Sequence, residues 1–82
     1  MTEFTVADFK KIVQNALGPE EAAAVGPDTL DTALCELGID SLGILEIVNQ
    51  IRGTYAAEIV DHTVDENTTP RATIELVRSL LP

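Results

Sequence analysis

Apolar side chains recur at the 3.6-residue spacing of a helix in three separate stretches of this 82-residue chain, and at the two-residue alternation of a strand in none. Helices packed on helices are then the expected way to build a core. In the first stretch Phe9, Ile12, Val13, Ala16 and Leu17 form a single stripe. Thr5 precedes it as N-cap, Asp8 follows three residues later as a capping-box partner, and Phe4 and Phe9 occupy the two staple positions. Gly18-Pro19 ends that helix.

The second stretch begins after Gly38, with Asp40 as N-cap and Ser41 as first helical residue, and runs to about Ala56. On a wheel of about 100° per residue, Ile44, Ile47, Val48, Ile51 and Tyr55 share the core sector, whereas Leu42, Glu46, Asn49, Gln50 and Gly53 lie opposite. Leu42 has no core to enter and is expected in solvent beside Ser41. The third stretch opens on Thr69-Pro70, an N-cap and N1 pair, and carries Ile74, Val77 and Leu81 flanked by Leu76 and Leu80.

Two connections remain. From Gly18 to Gly38 no period is sustained, which predicts a long loop between helices 1 and 2, pinned to the core by Leu30, Leu34 and Leu37; Glu20 to Val25 could add a helical turn. The stretch from Ile59 to Asn67 is predicted as a short third helix capped by Asp61, with Val64 turned inward. The expected fold is all-α: a small bundle of three longer helices and one short one, with residues 1–82 as a single domain, because so short a chain holds one hydrophobic core.

Fourteen Asp plus Glu against five Lys plus Arg give a net charge of −9, which repels phosphate backbones and anionic lipid heads, so no nucleic acid and no membrane surface are expected as partners. No window approaches the roughly 18 apolar residues of a membrane span, and Met1-Thr2-Glu3 lacks the basic start of an export signal. The single Cys35 leaves no internal disulfide framework and no all-cysteine metal site; a reducing cytoplasm is the expected setting. The 45% hydrophobic content, with only Phe4, Phe9 and Tyr55 aromatic, suits an aliphatic core rather than disorder.

Catalytic signatures are weak. His62 is the one histidine, and no spacing ties it to Ser41 or Cys35. Gly43 follows Ser41 by two, as in a nucleophile elbow, yet Ile39 occupies the place of the first glycine. Cys35 has no Lys, Arg or His within several residues to favour its thiolate. Asp28 with Asp31, and Asp61 with Asp65 and Glu66, form loose acidic clusters without the spacing of a calcium loop. No catalytic residue and no metal are expected. Ser41 differs. A hydroxyl on the first turn of a helix sits where backbone N–H groups and the helix dipole favour an anion by about 0.3–1 kcal/mol, although a plain helix-start serine fits the same three residues.

Leu37-Gly38-Ile39-Asp40-Ser41-Leu42, near the middle of an acidic helical chain of this length, resembles the phosphopantetheine attachment motif of acyl carrier proteins. Phe4-Thr5-Val6-Ala7-Asp8-Phe9, Leu30-Asp31-Thr32 and Thr68-Thr69-Pro70-Arg71-Ala72 look like the discrete carriers of bacterial aromatic polyketide synthases, which are separate small proteins, as a chain from Met1 to Pro82 would be. The resemblance implies a monomeric carrier. A phosphopantetheinyl transferase would move 4′-phosphopantetheine from coenzyme A onto Ser41, and the thiol of that arm would hold malonyl and growing polyketide groups as thioesters. Asp40 would assist the transferase. Leu42 and Glu46 would meet partner enzymes bearing basic patches, namely a ketosynthase with its chain-length factor, a malonyl transferase, a ketoreductase and cyclases.

Gly43 stands where many fatty-acid carriers have an acid, and Arg52 and Gly53 interrupt the acidic run, which points away from a housekeeping fatty-acid role. Ile39 and Arg78 stand where members of the aromatic group often place an aromatic residue and an asparagine. Two other readings stay open at this point: a fatty-acid or starter-unit carrier, and an acidic helical interaction protein with no prosthetic group, whose function would survive Ser41→Ala.

Overall fold

Each of the three longer helices starts at the residue able to cap it. The computed structural model describes residues 3–60 and 63–81, which form α1 (Val6–Leu17), a short α2 (Pro19–Ala23), α3 (Ser41–Tyr55) and α4 (Pro70–Leu80), with 3₁₀ turns at Pro27–Thr29 and Leu34–Leu37. At α1 the Asp8 N–H donates to the Thr5 hydroxyl at 3.2 Å while the Thr5 N–H donates to the Asp8 carboxylate at 2.9 Å. Gly43 N–H donates to Asp40 at the head of α3 (2.8 Å), and Ala72 N–H to Thr69 at the head of α4 (3.1 Å). Each such cap is worth about 1 kcal/mol.

The stripes then meet in one core. Phe9, Ile12 and Val13 of α1, Ile44, Ile47, Val48 and Ile51 of α3, and Ile74 and Val77 of α4 are buried together, with α1 packed against α2, α3 and α4. Phe4 closes one end. Its ring lies edge-on to Phe9 (centroids 6.3 Å apart) and to Tyr55 (5.1 Å), the favoured geometry for aromatic quadrupoles. Arg78 donates from Nε to the Phe4 carbonyl at 2.8 Å, tying the last turn of α4 to the start of the chain. No helix among the described residues is long and apolar enough to cross a membrane, and no strand forms among them.

The connection from Gly18 to Asp40 is more ordered than a loop. Gly18 at φ +114° ends α1, Pro19 opens α2, and Gly38 at φ +86° takes the left-handed conformation that lets the chain reverse into α3. Ala22, Val25, Leu34 and Ile39 are buried, and Leu30 and Leu37 pack partly buried against the core, so the leucine anchors predicted from spacing hold the segment. The helical turn expected within Glu20–Val25 is α2, and it is the short helix of the fold.

The short helix expected at residues 59–67 does not form among the described residues of that segment; its predicted cap, Asp61, and His62 lie outside them. Ala56 at φ +55° terminates α3, and beyond it the carbonyls of Ala57, Val60 and Asp65 close only short local turns while three others find partners elsewhere in the molecule. Arg52 donates to the Ile59 carbonyl, Cys35 N–H to that of Glu66 (3.0 Å) and Leu34 N–H to that of Thr68 (2.9 Å). Carbonyls satisfied by distant donors leave no need for a helical ladder. Val64 does turn inward, as expected, together with Ala57 and Ile59.

Candidate functional site

Three anchors fix the position of Ser41. Ile39 is buried and its N–H donates to the Leu34 carbonyl at 3.1 Å; Gly38 N–H closes the preceding turn on Cys35 at 3.2 Å; and Asp40 caps α3. Asp40, Ser41 and Leu42 then emerge together into solvent, with Leu42 65% exposed. The Ser41 hydroxyl makes no hydrogen bond among the described residues. Gly43 faces the other way. A Cβ there would lie 3.2 Å from Ile39 Cγ2 and 3.3 Å from both Asp40 Oδ1 and Leu17 Cδ1, so the missing side chain lets the first turn of α3 seat against the end of α1.

Hollows open on both sides of the serine. One is a groove of about 340 Å³ whose floor is Ile44, Val48 and Val64 and whose rim is Ser41, Leu45, Val60, Asp65 and Glu66. The other, about 370 Å³, runs past Cys35, Gly38, Ile39, Asp40 and Glu66. Leu42 and Glu46 lie one turn apart on the exposed face of α3, where with Glu21 and Asp40 they border a third hollow against the end of α1. Carboxylates and one large apolar side chain thus stand together beside Ser41, an arrangement complementary to a basic surface.

Sequence reasoning missed two residues here. Leu45 and Val60, 50% and 73% exposed, form the apolar lip of the first groove. An off-stripe leucine next to Ile44 was the available signal for one; Val60 carried none. Arg78, at the position where related carriers often have asparagine, is engaged with the Phe4 carbonyl and lines none of these hollows.

The remaining candidates are scattered. Cys35 is an exposed free thiol, Asp28 is exposed, and His62 is not among the described residues. Asp31 is held below the usual carboxylate range by its hydrogen bonds to Arg71, at 2.8 and 3.3 Å. Asp65 accepts from Asn67 N–H and from the Thr68 hydroxyl within its own turn. Among the described residues no three His, Cys, Asp or Glu side chains converge on a possible metal position.

An unengaged, exposed hydroxyl at the positive end of a 15-residue helix, open on two sides, has the room and the electrostatics to bear a phosphodiester. The family described as "Phosphopantetheine attachment site" matches residues 7–77. The oxytetracycline polyketide synthase acyl carrier protein of Streptomyces rimosus is 37% identical over 81 residues, covering 99% of this chain and 85% of that protein. Among solved structures, the oxytetracycline acyl carrier protein superposes with a TM-score of 0.80 at 36% identity, over 98% of this chain and 84% of that one. The 3,5-dioxohexyl acyl carrier protein, a triketide mimic from the actinorhodin polyketide synthase of Streptomyces coelicolor, gives 0.82 at 25% identity, over 98% and 93%. Matched along most of its length in sequence and in fold, the chain belongs to the acyl carrier proteins of discrete polyketide synthases, which bear 4′-phosphopantetheine covalently and are carriers rather than catalysts.

Proposed function

We propose that Ser41 receives the 4′-phosphopantetheine and that the chain, as one carrier domain, presents malonyl and growing polyketide thioesters to the enzymes of a discrete polyketide synthase. The observation that carries this reading is the exposed, unengaged Ser41 hydroxyl at the head of α3, flanked by open hollows. In the loading step the Ser41 Oγ–H bond is replaced by a bond from Oγ to the pantetheine phosphorus of coenzyme A, adenosine 3′,5′-bisphosphate leaves, and the proton passes to a base of the transferase. Asp40 has a double part. One carboxylate oxygen holds the Gly43 N–H, which keeps the group rigid beside Ser41; the other is directed to recognition by the phosphopantetheinyl transferase.

Once attached, the group supplies a terminal thiol on which acyl chains are held as thioesters. The chain's own residues supply the rest. Leu42 and Glu46 offer an apolar knob and a charge to basic patches on the partners, and the net charge of −9 steers the encounter more than it fixes affinity. The partners are the transferase, a ketosynthase with its chain-length factor, a malonyl transferase, a ketoreductase and cyclases, met by a cytoplasmic monomer. The groove over Ile44, Val48 and Val64 gives the apolar part of a chain a seat next to its point of attachment.

Incubation with coenzyme A and a broad-specificity transferase tests the assignment. A gain of about 340 Da, the mass of the arm, is expected on the Ser41 peptide and is expected to vanish in Ser41→Ala. No gain in the parent protein, or a gain that survives the substitution, would overturn it. Loss of polyketide product in cells carrying Ser41→Ala separates a carrier from an acidic interaction protein, for which that change is harmless.

A further inference from the structure

Val60 and Val64 form the side of the first groove that faces α3, and neither lies in a helix. A wall of irregular backbone keeps its place only if other elements hold it. Towards α4 the holding contacts are backbone ones, the Glu66 and Thr68 carbonyls accepting from Cys35 and Leu34. At the Val60 end Thr63 N–H closes a turn on the Val60 carbonyl at 3.2 Å, and the contact that comes from α3 is a side chain. Arg52, in the last turn of α3, donates from Nε to the Ile59 carbonyl at 3.1 Å and from Nη2 to the same oxygen, while Nη1 reaches Asn49 Oδ1 at 3.5 Å. Ile59 is buried and the next residue, Val60, is 73% exposed, so the held carbonyl lies where the chain passes from core to groove. One of five basic residues in a strongly acidic chain thus grips a backbone oxygen with two of its nitrogens.

We infer that Arg52 is a positioning residue: it fixes the Val60 side of the groove and so sets how firmly the groove holds the apolar part of a thioester-linked chain. A planar guanidinium fixes both the place and the tilt of the peptide group it grips, which a lysine ammonium, a point donor, does not. Nothing in this role requires Arg52 to touch the chain or a partner enzyme. It acts through Ile59 and Val60. The inference rests on the groove being the seat of the chain, and its test separates the two ideas.

Acetyl- and octanoyl-pantetheine are loaded on the parent protein, Arg52→Lys and Arg52→Met, and thioester cleavage by hydroxylamine is timed. An acetyl group is too short to fold back into the groove and serves as the internal reference. In the parent, octanoyl is expected to be cleaved several-fold more slowly than acetyl. In Arg52→Met that ratio is expected to fall to about one, a loss on the order of tenfold or less, as for removal of the charge-assisted grip on one carbonyl. Arg52→Lys should lie between, and the acetyl rate should be the same in all three. Amide NMR shifts confined to Ala57–Val64 would show that the variants keep the fold; if Arg52→Met does not, the lysine variant decides. A parent-like ratio in the folded variants would overturn the role of Arg52 and leave the groove assignment standing. Equal rates in the parent would overturn both.

Discussion

The two long connections flank the same helix, and both lack a sustained period in sequence, yet they are built on different principles. From Gly18 to Asp40 the segment closes on itself: Val25 N–H bonds Ala22, Thr29 N–H bonds Gly26, and the Thr29 hydroxyl reaches the Ala24 carbonyl at 2.8 Å, over a spine of buried Ala22, Val25, Leu34 and Ile39. From Ala57 to Thr69 the segment has short turns of its own, Thr63 N–H on Val60 and Thr68 N–H on Asp65, but the carbonyls of Ile59, Glu66 and Thr68 are held from outside by Arg52, Cys35 and Leu34, over three buried apolar residues among those described. A segment that must deliver one serine to a fixed place is internally braced. A segment that lines a hollow leans on its neighbours.

Core truncation is the harshest test of that contrast. Leu34 is fully buried and joins both connections, so Leu34→Ala is expected to cost about 2–5 kcal/mol in urea unfolding. Val64→Ala removes two methyl groups beside an existing groove, where the neighbours face open space, and about 1–2 kcal/mol is expected. Equal losses at the two positions would mean that the second connection is as tightly built as the first.

How much of this was readable beforehand follows from range. The three caps at Thr5, Asp40 and Thr69, the stripes of the longer helices and the exposure of Leu42 depend on residues within a turn or two, and local spacing exposes them. A five-residue α2 is shorter than two turns and cannot display a period. The described part of residues 59–67 departs from the expected helix for another reason: the donors that satisfy Ile59, Glu66 and Thr68 come from positions 52, 35 and 34, and no local pattern announces them. At the site, the hydroxyl and its cap were readable from Asp40-Ser41-Leu42. The groove was not, because half of its lining, Val60, Val64, Asp65 and Glu66, is brought in by tertiary contacts. Gly43 likewise read as a missing acid, whereas its burial against Leu17 gives it a packing reason.

A gentler probe acts at the seam between the first connection and α3. Asp40 both caps the helix and stands beside the serine, and two substitutions pull these parts apart. Asp40→Ala should lower stability by about 1 kcal/mol, whereas asparagine is as good a cap as aspartate and should cost about 0.5 kcal/mol or less. The rate of mass gain with the transferase should nevertheless fall in Asp40→Asn as well, because only the charge has gone. An unchanged loading rate in Asp40→Asn would reduce Asp40 to a cap.

The smallest effect is expected where the first connection is tied to α4. Arg71 N–H donates to the Leu30 carbonyl at 3.0 Å, and the guanidinium grips the Asp31 carboxylate, with the two side chains 52% and 76% exposed. Solvent and salt screen such a pair, so Asp31→Asn should lower the melting temperature only slightly at pH 7, and less in high salt. Its pH dependence has a definite sign. Arg71, through its hydrogen bond first and its charge second, holds Asp31 below the 3.8 of an ordinary aspartate, so the pair contributes fully above 3.8 and is lost as pH falls through the lower folded value. Parent and Asp31→Asn should differ near neutrality and melt together in strong acid. The backbone bond to Leu30 survives in both, which is why the connection should stay docked. A neutral-pH loss as large as that of Leu34→Ala would mean that the first connection, too, depends on outside contacts.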